Sequence, residues 1–123
     1  MTGARAAAFA LSAALALFGG CERPTRDESV LRAIRAESAQ LVAKHPIRPP
    51  ERSVQVPKNR LPRVIASLDP EMVTVHDWGV DIMVRPGFDG GWGYQVARDK
   101  RDLPMPAECY SDVAAGIFWH GPC

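Results

Sequence analysis

Residues 72–85 read MVTVHDWGVDIMVR, and this stretch decides the fold class. Valine or isoleucine recurs at every second position both before and after the central HDWG of residues 76–79. A period of two is typical of a strand with one buried face, and a short polar connection between two such strands indicates a hairpin. The stretch therefore predicts two antiparallel β-strands joined by a tight turn.

The alternation continues on the C-terminal side of this hairpin. Residues 86–91, PGFDGG, are typical of a turn, and residues 92–98, WGYQVAR, alternate again. Residues 98–108, RDKRDLPMPAE, are predicted as a polar loop because they are mostly charged and contain two prolines. Residues 114–121, AAGIFWHG, predict a last short strand. The sequence thus predicts an antiparallel sheet of three to four strands.

An amphipathic helix is predicted over residues 25–44, TRDESVLRAIRAESAQLVAK. Thr25 and Glu28 match the capping box found at the start of many helices. The seam at helical spacing consists of Leu31, Ile34, Ser38 and Leu41, widened by Val30 and Val42. A second, shorter helix is predicted between Pro62 and Pro70. We therefore predict a small α+β fold with one or two helices packed on the sheet.

A proline-rich basic segment, residues 46–60, separates the two predicted helices. It reads PIRPPERSVQVPKNR and contains four prolines and four basic residues. Prolines keep a chain extended and remove backbone donors, so this segment predicts a linker or an extended arm, with a short strand at 53–56. Residues 21–60 are expected to form an anchor, helix and arm, and residues 61–123 the small α+β domain.

The N-terminus has the composition of an export signal. One basic residue, Arg5, precedes residues 6–18, AAAFALSAALALF, which are thirteen apolar or small residues without charge. This run is shorter than the roughly 20 residues of a membrane-spanning helix, and it has the length of a signal-peptide core. The next residues are Gly19, Gly20 and Cys21.

Phe18 and these three residues place an apolar residue and two small residues before a cysteine, which resembles the lipobox of bacterial lipoproteins. The resemblance covers residues 1–21 and implies that residues 1–20 are removed and that Cys21 carries acyl chains such as palmitate. At about 0.8 kcal/mol per buried CH₂, these chains would hold the protein on a membrane. In bacterial lipoproteins, Asp directly after the acylated cysteine favours retention in the inner membrane. Because Glu22 occupies that position here, the resemblance implies the outer membrane, facing the periplasm. A secretory signal cleaved nearby is the alternative interpretation.

The cysteine count agrees with a lipid anchor. The chain has three cysteines, and an acylated Cys21 leaves Cys109 and Cys123 as a pair in an oxidising compartment. We therefore predict a disulfide between them, worth about 3 kcal/mol for a loop of roughly 15 residues. Two free thiols are the alternative.

The charges divide the chain into a basic and an acidic half. Residues 22–66 contain ten basic and five acidic side chains, and residues 67–123 contain four and nine. A basic segment beside a lipid anchor would be attracted to anionic head groups or to an anionic wall polymer. Packing against the acidic half is the alternative. Nucleic acid is not an expected partner, because the destination lies outside the cytoplasm and half of the chain is acidic.

Residue types used in catalysis or metal binding are present without a recognisable spacing. The side chains that could hold a metal ion are His76, Asp77, Asp81 and His120. Cys109 or Ser111 with His120 could form a nucleophile and base. Because neither set matches a known signature, the sequence predicts no catalytic residue, no metal site and no cofactor.

Four aromatic residues form a candidate binding surface: Trp78, Trp92, Tyr94 and Trp119. Trp and Tyr are common anchors in binding sites, but a small domain also needs large side chains in its core, and both interpretations stay open. We expect a lipid-anchored cell-envelope protein with a non-catalytic binding role, towards another envelope protein or a wall component. The alternatives are a periplasmic inhibitor or immunity-type protein against a toxin or hydrolase, and an envelope enzyme.

Overall fold

The computed structural model describes residues 23–88 and 90–123. The predicted signal peptide and the lipidation site at Cys21 lie outside the described residues. None of the helices in these two ranges combines the length and the apolar character needed to cross a membrane.

The long helix α1 spans Glu28–Lys44 and begins three residues later than predicted. Its N-cap is Asp27, whose Oδ1 accepts hydrogen bonds from the backbone N–H groups of Ser29 (2.9 Å) and Val30 (3.3 Å). The predicted capping box with Thr25 is wrong, because the Thr25 N–H instead donates to the Tyr94 hydroxyl at 2.8 Å. The seam of Leu31, Ile34, Ser38 and Leu41 is confirmed as the buried side of α1, but Val42, which was predicted to widen it, is exposed.

Six strands form one antiparallel sheet. They are β1 (Ser53–Gln55), β2 (Met72–His76), β3 (Gly79–Arg85), β4 (Trp92–Ala97), β5 (Tyr110–Ala114) and β6 (Ile117–His120). Their order across the sheet is β1-β2-β3-β4-β6-β5. The α+β class is confirmed, but the predicted count of three to four strands is too low. The two further strands are at the edges: β1 is the short strand predicted at 53–56, which joins the sheet instead of remaining in the arm, and β5 was not predicted, because it is short and partly polar.

The short helix α2, Arg63–Ser67, is capped by a side chain from α1. The Glu37 carboxylate accepts hydrogen bonds from the Val64 N–H (3.1 Å) and the Ile65 N–H (2.9 Å). A cap from outside is needed because the residue before α2 is Pro62, which has no side-chain hydrogen-bonding group. This contact fixes α2 beside α1.

The main core lies between the helices and one face of the sheet. The sheet contributes Val73, Val75, Val80, Ile82, Tyr94, Val96, Ile117 and Trp119. Leu31, Ile34 and Leu41 of α1, Val56 after β1 and Ile65 of α2 pack in the same cluster. Residues before and after position 61, where the small α+β domain was predicted to begin, therefore share one core.

A second cluster covers part of the opposite face of the sheet. Its buried members are Ala97, Leu103, Tyr110 and Phe118. The connection from β4 to β5 folds over this face through two short 3₁₀ turns, at Lys100–Asp102 and Ala107–Cys109. The predicted disulfide between Cys109 and Cys123 is confirmed, with 5.8 Å between the two Cα atoms. It ties the end of this connection to the C-terminus.

Candidate binding site

A cleft of about 1130 Å³ lies beside α1, at the end of the sheet where the β2–β3 and β5–β6 turns meet. We call it the sheet-end cleft. Its lining includes Ser38 and Val42 of α1, Trp78 and Gly79 of the β2–β3 turn, Arg98 after β4, and Gly116 of the β5–β6 turn.

Two glycines shape the turns that border the cleft. Gly79 has φ of 150°, and a Cβ atom there would overlap the carbonyl oxygen of Val96 on the neighbouring strand. Gly116 has φ of 75°, in the left-handed region that side-chain-bearing residues rarely adopt. The backbone can therefore approach closely at both turns, and no side chain from these positions fills the cleft.

The cleft contains an unpartnered polar group. Ser38 is 2% exposed, and its Oγ has no hydrogen-bond partner among the described residues. A buried hydroxyl without a partner costs about 1–3 kcal/mol, so native proteins rarely retain one. A ligand that brings a hydrogen-bonding group to Ser38 would recover this cost, and the hydroxyl is therefore a candidate for recognition.

Apolar surface is open to solvent beside this hydroxyl. Val42 is 46% exposed and is one of two large hydrophobic side chains exposed among the described residues. Trp78, from the opposite side of the cleft, is half-buried against the second cluster, and its ring stacks on His76 with 4.8 Å between centroids and 9° between planes. The two side chains offer a contact surface for an apolar group of a ligand.

The rim of the cleft carries balanced charge. Two cations, Arg35 and Arg98, and two anions, Asp77 and Asp102, line it. All four are exposed, and none forms an ion pair within residues 23–88 and 90–123. A rim with both signs suits a partner that itself carries both signs, as a protein surface does, better than a polyanion.

The four predicted aromatic site residues do not share one surface. Tyr94 and Trp119 are 3% and 8% exposed and pack edge-to-face in the main core, with 4.9 Å between ring centroids. Trp92 is half-buried against the same core at the other end of β4. Trp78 alone of the four lines the sheet-end cleft.

A polar network lies on the opposite face of the sheet. The Tyr110 hydroxyl donates to Gln95 Oε1 at 2.6 Å, and Gln95 Nε2 donates to Asp81 Oδ1 at 3.4 Å. The Met105 N–H donates to the Tyr110 hydroxyl at 3.3 Å. Burial raises the pKa of Asp81 above its ordinary value, against the opposing effects of His120 and Gln95. The network joins β3, β4, β5 and the covering loop.

The residues considered for catalysis are not assembled. Tyr110 lies opposite His120 and Ser111 lies opposite Trp119, so Ser111 and His120 project to opposite faces of the sheet. Cys109 is oxidised in the disulfide. His120 is buried, with Nδ1 3.3 Å from the Gly121 carbonyl oxygen, and its Nε2 has no hydrogen-bond partner in the described ranges. In the described part of the chain, no three His, Cys, Asp or Glu side chains are grouped to hold a metal ion.

The sequence carries one signal for this cleft. Ser38 is the polar member of an otherwise apolar helix seam, and Val42 lies four residues further along the same flank. A polar residue in such a seam requires a partner, and the sequence offers no means of identifying it.

Comparison with protein-family models, with curated proteins and with solved structures finds no match to this chain.

Proposed function

We propose that this chain is a lipid-anchored cell-envelope protein with a non-catalytic binding role, and that the sheet-end cleft binds a segment of another envelope protein. The observation that carries the binding role is the buried hydroxyl of Ser38, which has no hydrogen-bond partner in residues 23–88 and 90–123, beside the exposed side chain of Val42. A polypeptide supplies both complements, because its backbone can hydrogen-bond Ser38 and its apolar side chains can cover Val42 and Trp78.

The lipid anchor would hold the folded domain close to the membrane. The Thr25 N–H is fixed to the Tyr94 hydroxyl in the folded domain, and Cys21 lies four residues before Thr25. Four extended residues span at most about 14 Å. If Cys21 is acylated at the periplasmic face of the outer membrane, the domain therefore rests near the lipid surface, where membrane-bound partners are concentrated.

Site-specific crosslinking in cells tests the binding role. A photoreactive amino acid is placed at Val42, in the cleft, and as a matched control at Phe88, which is fully exposed at the opposite end of the sheet. We expect one dominant protein adduct from position 42 and none of that mass from position 88. The same scattered adducts from both positions, or adducts to wall polymer alone, would contradict the proposed partner class.

The identity of that adduct separates the binding role from the inhibitor alternative. If the crosslinked protein is a hydrolase or toxin, its activity is measured with and without the full chain, and with a Val42→Asp variant. If the wild-type chain lowers the activity of the crosslinked protein and the Val42→Asp variant does not, the chain is an inhibitor. Unchanged activity would indicate a binding role without inhibition.

The anchor has its own test. Labelled palmitate should enter the wild-type chain in bacterial cells and should not enter the Cys21→Ala variant. Equal labelling of the two would refute acylation at Cys21 while leaving the cleft proposal intact.

A further inference from the structure

The basic half of the chain is not neutralised by the acidic half. All ten Arg and Lys residues between positions 23 and 63 are exposed, and none forms an ion pair with a described residue. Two ion pairs of the described residues, Lys100–Asp112 and Arg101–Asp99, lie within the acidic half. The positive charges of the basic half are therefore available to an external anion.

Three of these cations converge on a second cleft, of about 450 Å³, between α1 and the segment that leads into α2. We call it the α1–α2 cleft. Lys44, Arg60 and Arg63 line it, together with the side-chain amides of Gln40 and Asn59. Residues of the opposite flank of α1, such as Ser38 and Val42, line the sheet-end cleft, so the two clefts do not share their lining.

The donor side chains in the α1–α2 cleft form no hydrogen bonds, whereas the carboxylate in its lining already accepts two. Within residues 23–88 and 90–123, the five donor side chains make no hydrogen bond or ion pair. Glu37 is the acidic residue of the lining, and its two oxygens accept the N–H groups of Val64 and Ile65. The cleft therefore presents free donors and a net positive charge.

We propose that the α1–α2 cleft binds a phosphate group through Lys44, Arg60 and Arg63. Guanidinium groups form paired hydrogen bonds with phosphate oxygens, and a Lys ammonium adds a mobile point charge. The volume of about 450 Å³ admits a phosphate with a small substituent, such as the glycerophosphate of a phospholipid head group. The phosphate comes either from an anionic lipid or from a soluble phosphate compound, and the other exposed cations of the basic half favour the lipid.

Calorimetry on the full chain in neutral detergent micelles tests this site. The probes are short-chain phosphatidylglycerol, short-chain phosphatidylcholine as the neutral-head-group comparison, and inorganic phosphate. The cleft variant is Lys44→Gln/Arg60→Gln/Arg63→Gln. The matched control is Arg26→Gln/Arg48→Gln/Arg52→Gln, which removes three exposed cations of the same half that do not line the cleft.

We expect phosphatidylglycerol to bind the wild type and the control within about fivefold of each other, with weaker binding of phosphatidylcholine. The cleft variant should bind phosphatidylglycerol about 100-fold more weakly, which corresponds to about 1 kcal/mol for each of three cations. Inorganic phosphate binding with the same dependence on the variants would assign a soluble phosphate as the source; binding of phosphatidylglycerol alone would assign the head group.

Equal losses in the cleft variant and the control would overturn the proposal, because they would show only the general attraction of a basic surface. Absence of binding by both phosphatidylglycerol and inorganic phosphate would overturn it as well. Thermal unfolding checks that the variants fold. If the triple variant does not fold, the single change Arg60→Gln replaces it and is expected to weaken binding about fivefold. Crosslinking at Val42 is independent of these outcomes.

Discussion

The Tyr110 hydroxyl donates a 2.6 Å hydrogen bond to Gln95 Oε1 and so connects edge strand β5 to strand β4 across the intervening β6. The two residues are not level with each other across the sheet. Gln95 pairs with Phe118 of β6, whereas Tyr110 pairs with His120, two residues further along β6. This diagonal contact fastens the C-terminal edge of the sheet at a point where β5 itself is short and partly polar.

Tyr110→Phe should lower the free energy of unfolding by about 1–2 kcal/mol, because Gln95 loses a donor and the Met105 N–H loses an acceptor in a buried site. Urea denaturation measures the change. Ser111→Ala, on the exposed edge of the same strand, serves as the control and should stay within about 0.5 kcal/mol of the wild type. An unchanged midpoint for Tyr110→Phe would show that the contact does not contribute to stability.

Asp81→Asn should stabilise the protein at neutral pH and not at low pH. Burial raises the pKa of Asp81 in the folded state above its unfolded value, so the folded state binds more protons in the window between the two values. Stability due to this group is therefore present below the unfolded pKa and is lost as pH rises through the folded one. Asn remains neutral and can still accept from Gln95. Thermal unfolding of both proteins between pH 3 and pH 8 should give curves that converge towards low pH; parallel curves would contradict the raised pKa.

Glu37→Ala should lower the free energy of unfolding by about 1–2 kcal/mol, because two N–H groups at the start of α2 lose a charged acceptor. Hydrogen exchange of the Val64 and Ile65 amides should accelerate in the same variant. Glu51→Ala removes an exposed carboxylate that forms no side-chain hydrogen bond or ion pair with a described residue and should leave both measurements unchanged. Equal effects of the two changes would show that the cap is not formed.

Ser38→Ala should raise the free energy of unfolding of the unliganded protein by about 1 kcal/mol, because it removes a buried hydroxyl without a partner. Ser29→Ala should have the opposite sign, since the Ser29 hydroxyl donates to Asp27 Oδ1 at 2.7 Å. Chemical denaturation compares the two. The same Ser38→Ala change should weaken crosslinking from position 42. A strong loss of stability in this variant would contradict the prediction, because it would show that Ser38 has a partner within the fold.

Short-range periodicity accounts for the parts of the fold that could be predicted. The α1 seam from Leu31 to Leu41 and the strands β2, β3, β4 and β6 follow from repeats of 3.6 and 2, because side-chain direction along one element depends only on its own backbone. The edge strand β5 was not predicted, because its consecutive residues Ser111 and Asp112 are both exposed, one on each face, and leave no apolar alternation to recognise.

The sequence by itself determined the α+β class, the buried side of α1 and the pairing of Cys109 with Cys123. The tertiary structure alone decided the strand order, the cap of α2 by Glu37, the hydroxyl of Ser38 without a partner, and the convergence of Lys44 with Arg60 and Arg63. The reason is physical: local periodicity fixes which side of an element is buried, but contacts between residues far apart in the chain depend on which elements become neighbours when the whole core packs.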